Sequence, residues 1–495
     1  MQTSANAARP IKPEAQAAFL KGLDSIARGQ KLEAARCFHQ AVRAQPDHFD
    51  ALFNLALALQ ELGQLPEACA CYEQATRLRP DYAPPWNNLG VAQKKLGQWT
   101  KAVAAHRQAM RLESGNLDFH NNLAVALRAN GEAEEAVQVL QSALQTAPQS
   151  TVLWHSLGQA SRDTGRLEES AAAFQRALAI EPQLIESHWD LGFTLLMQGD
   201  FARGWEEYEW RWKRKDFLPR SFAQPAWQGE DLAGKRLLVY TEQGAGDAIQ
   251  FARYVPLLAQ RGARVVLECS RPLVPLMQML ASVEQVIAKG DALPPFDLHC
   301  ALLSLPRLFR TTMDTIPSAV PYVRDRANGP SLPPSSWVSP HRQLRVGLAW
   351  AGNPEQENDV RRSIPFEGLR PWLANIDAAF YSLQFRPGNK TGNLRETDDR
   401  LVDLSPLIKD YADTAALISQ LDLVISVDTS VAHLAGALGH PTWVMLCQAP
   451  DWRWMTGRSD NPWYPGMRVF RQPTPGDWSS VLKDVFESLK TFTVA

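Results

Sequence analysis

The chain holds 495 residues, 45% of them hydrophobic and 21% charged, a balance that excludes wholesale disorder and fits a soluble globular protein. At about 100–200 residues per domain, such a length predicts roughly three domains. Lysine and arginine number 51 against 53 acidic residues, so the basic excess that marks a nucleic-acid partner is absent.

Residues 1–16 read as a tail; Met1 to Pro10 carries one Arg and no apolar segment, so no secretory signal is expected. The six cysteines (Cys37, Cys69, Cys71, Cys269, Cys300 and Cys447) form no C-x-x-C pair and no regular ladder, which indicates neither a zinc site nor a disulfide framework. The longest stretch free of Lys and Arg, Asp410 to Trp452, is interrupted by Asp428, His433 and Pro441, so no membrane span is expected. Together these features predict a reduced, cytoplasmic protein. Sixteen Trp, most in the C-terminal two-thirds, suit either core packing or the stacking of a sugar or base.

Residues 17–216 carry an internal repeat. Gly29, Gly63, Gly97, Gly131, Gly165 and Gly199 recur every 34 residues, as do Ala41, Ala75, Ala109, Ala143 and Ala177. Pro46, Pro80, Pro148 and Pro182 keep the same interval, with Ser114 in place of one Pro. Two amphipathic helix-length segments alternate between these marks, with Gly at the inner turn and Pro at the outer. Trp86-x-x-Leu89-Gly90 and Trp154-x-x-Leu157-Gly158 resemble the tetratricopeptide pattern, which implies six helix pairs stacked into an α-solenoid. The sixth departs at its second helix, where Trp205, Tyr208, Trp210 and Trp212 suggest a junction to a following domain.

First helices of such pairs line a concave groove. Asn54, Asn88 and Asn122 share one register position there, followed by Ser156 and Asp190. A ladder of amides can hold an extended peptide backbone, because each amide both donates and accepts. Structural contact between neighbouring helices explains the same residues equally well.

Residues 217–235, rich in Pro, Gly and Trp, read as a linker or cover segment. From 236 onward, short apolar runs alternate with helical patterns, which predicts parallel sheets in two Rossmann-like halves, 236–340 and 341–495. In the first half the expected strands are Arg236–Thr241, Ala263–Cys269, Val286-Ile287 and Leu298–Leu302. In the second they are Leu344–Trp350, Ala379–Gln384, Leu421–Val427 and Thr442–Leu446, after a Pro/Ser-rich boundary at Gly329–Pro340. Two such halves facing each other place a ligand cleft at the carboxyl ends of their strands, the GT-B architecture.

Four segments could carry chemistry. In Gln243-Gly244-Ala-Gly246-Asp247 the glycines permit close backbone approach, but the third Gly of a dinucleotide fingerprint is missing. Asp247 reads either as a helix cap or as a general base at the cleft. Ser426-Val-Asp428-Thr429-Ser430-Val-Ala-His433 ends a strand and opens a helix, offering backbone N–H groups and hydroxyls to a phosphate. His433 there is either a structural residue or a group reaching the same anion. Trp350-Ala-Gly352-Asn353-Pro354 precedes a loop with Arg361 and Arg362, whose guanidinium groups suit phosphate oxygens, unless the loop is simply solvated. Asp451-Trp452-Arg453-Trp454, with Trp463-Tyr464-Pro465, either flanks a sugar or base or braces the helix Trp478–Lys490. Asp-x-Asp occurs nowhere, so a diphosphate's charge would fall to Arg side chains and helix N-termini, with no metal expected.

Residues 236–490 resemble the heptosyltransferase-like glycosyltransferases of family 9, which adopt the GT-B fold. The resemblance lies in Asp428-Thr-Ser-Val-Ala-His433-Leu-Ala-Gly-Ala-Leu-Gly439-x-Pro441, close to that family's D-T-G-x-x-H-L-A-A-A-L-G-x-P, and in Gly246-Asp247. It implies Asp247 as base and places Thr429, Ser430 and His433 at the donor diphosphate, with Arg362 as the basic loop residue. Ser430 stands where the family has Gly, and Pro256 lies farther from Asp247 than the family's Pro. The fusion to repeats is similar in plan to O-GlcNAc transferase and to bacterial repeat-fused protein glycosyltransferases.

These readings converge on a metal-independent, inverting glycosyltransferase that takes a sugar from a nucleotide-sugar. Its expected donor site comprises Gly244, Gly246, Asn353, Arg362, Asp428, Thr429, Ser430 and His433, and its expected acceptor is a protein Ser or Thr hydroxyl recruited through Asn54, Asn88 and Asn122. Two alternatives stand beside it: transfer to a lipopolysaccharide or other glycan, and a repeat scaffold whose transferase-like domain no longer catalyses.

Overall fold

Glycine at 34-residue intervals marks the inner turn of successive helix pairs. Gly29, Gly63, Gly97, Gly131, Gly165 and Gly199 all have φ between +70° and +85°, a left-handed conformation that a Cβ disfavours. The computed structural model describes residues 10–217, 219–333, 344–356, 359–384 and 400–493, and the chain divides into two units, Met1–Ser187 and His188–Ala495.

The first unit contains α1 (Pro13–Ala27) with α2 (Lys31–Ala44), α3 (Phe49–Glu61) with α4 (Leu65–Leu78), and α5 (Ala83–Lys95) with α6 (Trp99–Leu112). It continues through α7 (Leu117–Ala129) with α8 (Ala133–Thr146) and α9 (Thr151–Asp163) with α10 (Leu167–Ile180). The recurring Ala41, Ala75, Ala109, Ala143 and Ala177 are all buried, where only a small side chain lets helices approach. Within a pair, a bulky residue of the second helix enters a notch on the first. A Cβ at Gly90 would lie 2.6 Å from His106 Nε2, and one at Gly158 would lie 2.6 Å from Phe174 Cε1. The sixth pair, α11 (Ile185–Gln198) and α12 (Phe201–Tyr208), belongs to the second unit from His188 onward.

The second unit holds two parallel sheets. In the first, β1 (Arg236–Tyr240), β2 (Arg264–Cys269), β3 (Val283–Ala288) and β4 (Leu298–Ala301) lie in the order β3-β2-β1-β4. Short helices connect them: α13 (Ala245–Phe251), α14 (Val255–Gln260) and α15 (Val274–Met277), with α16 (Leu305–Leu308) after β4. Residues 217–235 act as cover rather than free linker. Ala226 bridges to His299 on the outer edge of β4, the Trp227 N–H donates to the His299 carbonyl at 2.8 Å, and the Trp227 ring is buried.

In the second sheet, β5 (Leu344–Ala349), β6 (Ala378–Ser382), β7 (Leu401–Asp403), β8 (Leu423–Val427), β9 (Thr442–Leu446) and β10 (Met467–Arg471) take the order β10-β9-β8-β5-β6-β7. Its helices are α17 (Asp359–Arg362), α18 (Phe366–Leu373), α19 (Tyr411–Ile418), α20 (Ser430–Ala437) and α21 (Trp478–Lys490). Val346, Leu348, Phe380, Leu423, Ile425 and Met445 form a core with Leu369 and Leu373 of α18 and Val481, Val485 and Phe486 of α21. The strands β7 and β10 were not among those expected from sequence. The boundary segment Gly329–Pro340 is described only through residue 333, so the division at 340/341 lies outside the described residues. All six cysteines are unpaired, and no helix among the described residues is long and apolar enough to cross a membrane.

One repeat carries a built-in acid sensitivity. His106 fills the notch that Phe38 and Phe174 fill elsewhere, is fully buried, and has no hydrogen-bond partner among the described residues on either ring nitrogen. Burial, aided by Lys94, lowers its pKa from 6.5 to about 4. The unfolded chain therefore takes up a proton before the folded one does, so the stability this neutral ring confers is complete above pH 6.5 and is lost between 6.5 and about 4. We expect His106→Leu, the residue type at the same position in the next repeat, to narrow the gap in unfolding midpoint between pH 7.5 and pH 4.5. The difference is up to about 3 kcal/mol, and an unchanged gap in calorimetry at the two pH values would refute it.

Candidate functional site

In each sheet the strand order reverses once, between β1 and β4 in the first and between β5 and β8 in the second. Such switch points leave a crevice at the carboxyl ends of the strands, because connections on either side depart in opposite directions. The loops leaving β1 and β8 at these points carry Gly244–Asp247 and Asp428–His433, and the loop leaving β5 carries Gly352 and Asn353.

The two strand ends meet. A Cβ on Gly246 would lie 2.9 Å from His433 Cδ2 and 3.6 Å from the Ser430 Cα, so only glycine lets α13 lie against α20 here. Asp247 stands at the third position of α13, where its Oδ2 accepts the Gly244 N–H at 2.9 Å; it is a cap, but from inside the helix rather than at its start. Its Oδ1 accepts a hydrogen bond from Arg453 Nη2, and that guanidinium also donates through Nη1 to Asp451 Oδ1 at 2.7 Å. The Asp247 side chain keeps 20% of its exposure, while Arg453 keeps 7%. Burial pushes the Asp247 carboxyl above its ordinary value, Arg453 pulls it back, and Asp451 adds to the rise.

Asp428 shares these neighbours. Its carboxyl is raised by burial first and by Asp451 next, against Arg362, the Trp454 indole and Arg453. Thr429 is the N-cap residue of α20, yet its hydroxyl lies 3.0 Å from the Ser426 hydroxyl and does not cap the helix. The first N–H groups of α20 thus keep their capacity for an anion. The Ser430 hydroxyl lies 3.0 Å from that of Tyr411.

His433 is buried, with Nδ1 3.0 Å from the Tyr464 hydroxyl and its ring stacked on Trp454 at 5.3 Å. Burial, then Arg453 and Arg253, hold its pKa down to about 3. It is neutral near pH 7, so any part in anion binding falls to the neutral ring through Nε2 and not to a cation.

Arg362 reaches this group through its charge on Asp428, while its Nε donates to Asp359 Oδ1 at 3.1 Å and its Nη2 donates to Gln356. Gly352 makes room for it, since a Cβ there would lie 2.5 Å from Arg362 Nη2. Asn353 is exposed and accepts the Glu355 N–H at 3.1 Å, a local turn that sets it apart from the other donor-site candidates.

Asn54, Asn88 and Asn122 lie in the other unit and are half-buried. Asn122 Nδ2 donates to Asn87 Oδ1 at 3.0 Å, one helix pair back, and Ser156 Oγ donates likewise to Asn121 Oδ1 at 2.5 Å. Asn54 Nδ2 donates to the Asp50 carbonyl of its own helix at 2.8 Å, and Asn88 Oδ1 accepts from Asn87 Nδ2 at 3.4 Å. Contact between neighbouring helices therefore accounts for Asn122 and Ser156, although each amide retains unused donors or acceptors.

Sequence reasoning singled out Asp451–Trp454 and Trp463–Pro465 but not the pairing of Arg453 with Asp247, and it missed Arg253. Trp452, Trp454 and Trp463 are fully buried: Trp452 and Trp463 pack on each other and on Phe251, and Trp454 stacks on His433, so burial among other rings accounts for them. Arg453 between two tryptophans, and Arg253 in the apolar run Ala248–Leu258, are charges in hydrophobic surroundings; that mismatch was their one signal. Arg253 is buried behind the site, donating to the Trp463 carbonyl at 2.7 Å and to the Tyr322 hydroxyl at 3.2 Å.

Comparison with known proteins supports the repeat region directly. The tetratricopeptide-repeat family is matched over residues 37–70, 59–97, 94–160 and 158–199, and the chain carries tetratricopeptide repeats there. Protein FlbA of Caulobacter vibrioides is 28% identical over 348 residues, 61% of this chain and 54% of that one. That span exceeds the repeat region, so the likeness extends into the α/β part; the chain spans about half the length of that relative. Among solved structures, MamA is 20% identical over 34% of this chain and 93% of its own, with a TM-score of 0.33. YrrB, described as a TPR protein with an unusual peptide-binding site, is 20% identical over 36% and 92%, with a TM-score of 0.31.

The contact between the sheets can be tested directly. Gly246→Ala should destabilise the protein by about 1–3 kcal/mol, the usual cost of forcing a methyl into a packed contact. Combined with His433→Ala it should cost less, and urea unfolding of both single variants and the double variant measures the coupling. Strict additivity would mean that the two residues do not press on each other.

Proposed function

We propose that residues 236–490 form a GT-B glycosyltransferase, metal-independent and inverting, that moves a sugar from a nucleotide-sugar to a protein Ser or Thr hydroxyl recruited by the repeats. The observation that carries this reading is the meeting of two switch points, where Asp247 and Asp428 answer to the same Arg453 and Asp451. The match of Asp428–Pro441 to the heptosyltransferase-like pattern supports it, as does the start of α20 that the Thr429 side chain leaves uncapped.

In this reaction the acceptor oxygen attacks the anomeric carbon from the face opposite the leaving group. Its proton passes to the Asp247 carboxylate as the bond from the anomeric carbon to phosphate oxygen breaks, and the nucleoside diphosphate departs. Burial raises Asp247 and so strengthens it as a base, while its ion pair with Arg453 has the opposite effect. Arg362 and the first N–H groups of α20 stabilise the developing diphosphate charge, an electrostatic role that needs no proton transfer. Tetratricopeptide arrays present concave surfaces to polypeptides, which makes a protein the natural acceptor.

The second reading, a non-catalytic scaffold, draws on that same ion pair, because an Asp247 neutralised by Arg453 is a poor base. Nucleotides separate the two. ADP, GDP, UDP or CMP, or one of their sugar conjugates, at about 100 times its Kd should stabilise the protein by roughly 2.7 kcal/mol. The thermal shift should be insensitive to EDTA and reduced by Arg362→Ala. Asp247→Asn should lower transfer by about 10²–10⁴-fold while leaving that shift in place. A protein that no nucleotide stabilises, or a biological effect indifferent to Asp247→Asn, would favour the scaffold.

A further inference from the structure

The sixth helix pair departs from its repeat register where it reaches the loop carrying Asp247. After α12 the chain tightens into a 3-10 turn, Glu209–Lys213. Tyr208, last in α12, exchanges hydrogen bonds with the Gln243 side chain: Gln243 Nε2 lies 2.8 Å and Oε1 3.1 Å from the phenol oxygen. Arg211 is fully buried and ties three side chains together. Its Nη1 donates to Glu209 Oε1 at 2.6 Å, and its Nη2 donates to Ser304 Oγ at 2.7 Å and Glu242 Oε1 at 3.1 Å. Ser304 closes the ring by donating to Glu209 Oε1 at 2.9 Å.

Glu242 and Gln243 lie directly before Gly244, whose N–H the Asp247 carboxylate accepts. Ser304 follows β4, so Arg211 spans both strands of the first sheet's switch point. The same helix also holds the other side of the ion pair. Trp205 packs edge-on against Trp452 at 5.3 Å, next to Arg453, and its indole N–H donates to the Thr311 carbonyl at 3.2 Å. Both members of the Asp247–Arg453 pair are therefore seated on α12 and its extension.

We propose that Tyr208 and Arg211 are positioning residues of the transfer site: through Gln243 and Glu242 they fix the loop that aims Asp247, so the last repeat has become part of the transferase unit. This rests on the transferase reading for its kinetic consequence, but not for the structural one. Neither residue touches the reacting atoms, and their effect passes entirely through loop geometry. Such an effect falls on the rate of transfer more than on donor affinity, because a misplaced base leaves the phosphate contacts intact.

The test uses the full chain with Tyr208→Phe, which keeps the ring and removes only the hydroxyl. Tyr72→Phe, the same change at the same register position in the second repeat, is the control. We expect Tyr208→Phe to raise hydrogen exchange of the amides in 241–247 severalfold while those in 430–437 stay unchanged. Transfer kcat should fall roughly 3- to 10-fold, as the loss of one neutral hydrogen bond implies, with the donor KM and the nucleotide-induced thermal shift unaltered. Tyr72→Phe should change none of these. Loop exchange and kcat both unchanged in Tyr208→Phe would overturn the proposal, as would a drop in kcat matched by Tyr72→Phe. A wild-type chain that transfers nothing removes the transferase reading, and the exchange measurement then still decides the positioning role by itself.

Discussion

A guanidinium removed from water must be matched by charge and hydrogen bonds, and the second unit is organised around such a group. Arg453 comes from the loop after β9, Asp247 from the loop after β1, and they are separated by 206 residues. Neither could be buried alone without a penalty of several kcal/mol. Their pairing therefore commits the two sheets to one mutual position, and Gly246 against His433 supplies the close packing that this position requires. Asp451 and Asp428 fall within the same field, so the carboxyl ends of both sheets are electrostatically one site although they belong to different sheets.

The repeat register supplies the other constraint, and the sixth pair shows how far it can be bent. Phe38, Tyr72, His106, Leu140, Phe174 and Tyr208 occupy equivalent positions on the second helix of successive pairs. In the early repeats that side chain only fills a notch, which is why a phenyl, an imidazole and an isobutyl group all serve. At Tyr208 the backbone itself closes on the first helix, since a Cβ on Gly192 would meet the Tyr208 backbone nitrogen at 3.0 Å where Gly22, Gly90 and Gly158 meet the rings of Phe38, His106 and Phe174. The hydroxyl, however, faces Gln243. The same register position thus serves packing in one unit and hydrogen bonding to an α/β loop in the other.

The sequence revealed what is local or periodic. Helix pairs were legible because a glycine with positive φ must recur at each inner turn, and central strands because burial on both faces demands continuous apolar runs such as Leu423–Val427. Two strands escaped: β7 has only three residues, and the edge strand β10 breaks its apolar run with Arg468 and ends on Arg471. Asp247, Asp428 and His433 stood out as candidates because each lies in a strand-to-helix segment with a recognisable pattern. The contacts that join them did not, because those of Arg453, Tyr464 and Arg253 run across more than thirty, and in two cases more than two hundred, residues. Asn353 shows the converse, for a polar residue after a strand can end in a turn of its own.

The balance of charge at the sheet junction bears on which reading of the second unit is physically economical. Two sheets that needed only to adhere would do so best through apolar contact, since replacing a buried ion cluster by hydrophobic groups is often neutral or stabilising. Here the junction instead holds Asp247, Asp428 and Asp451 with Arg453, and the Thr429 side chain leaves the start of α20 uncapped. Burial raises two of those carboxyls, so keeping them ionised near neutral pH works against folding. An anion entering beside Arg362 and the first N–H groups of α20 would meet donors already in place and little reorganisation, the arrangement that lowers barriers when charge develops on a leaving group. A purely adhesive interface gives no physical reason to bear that cost, whereas the proposed glycosyl transfer would.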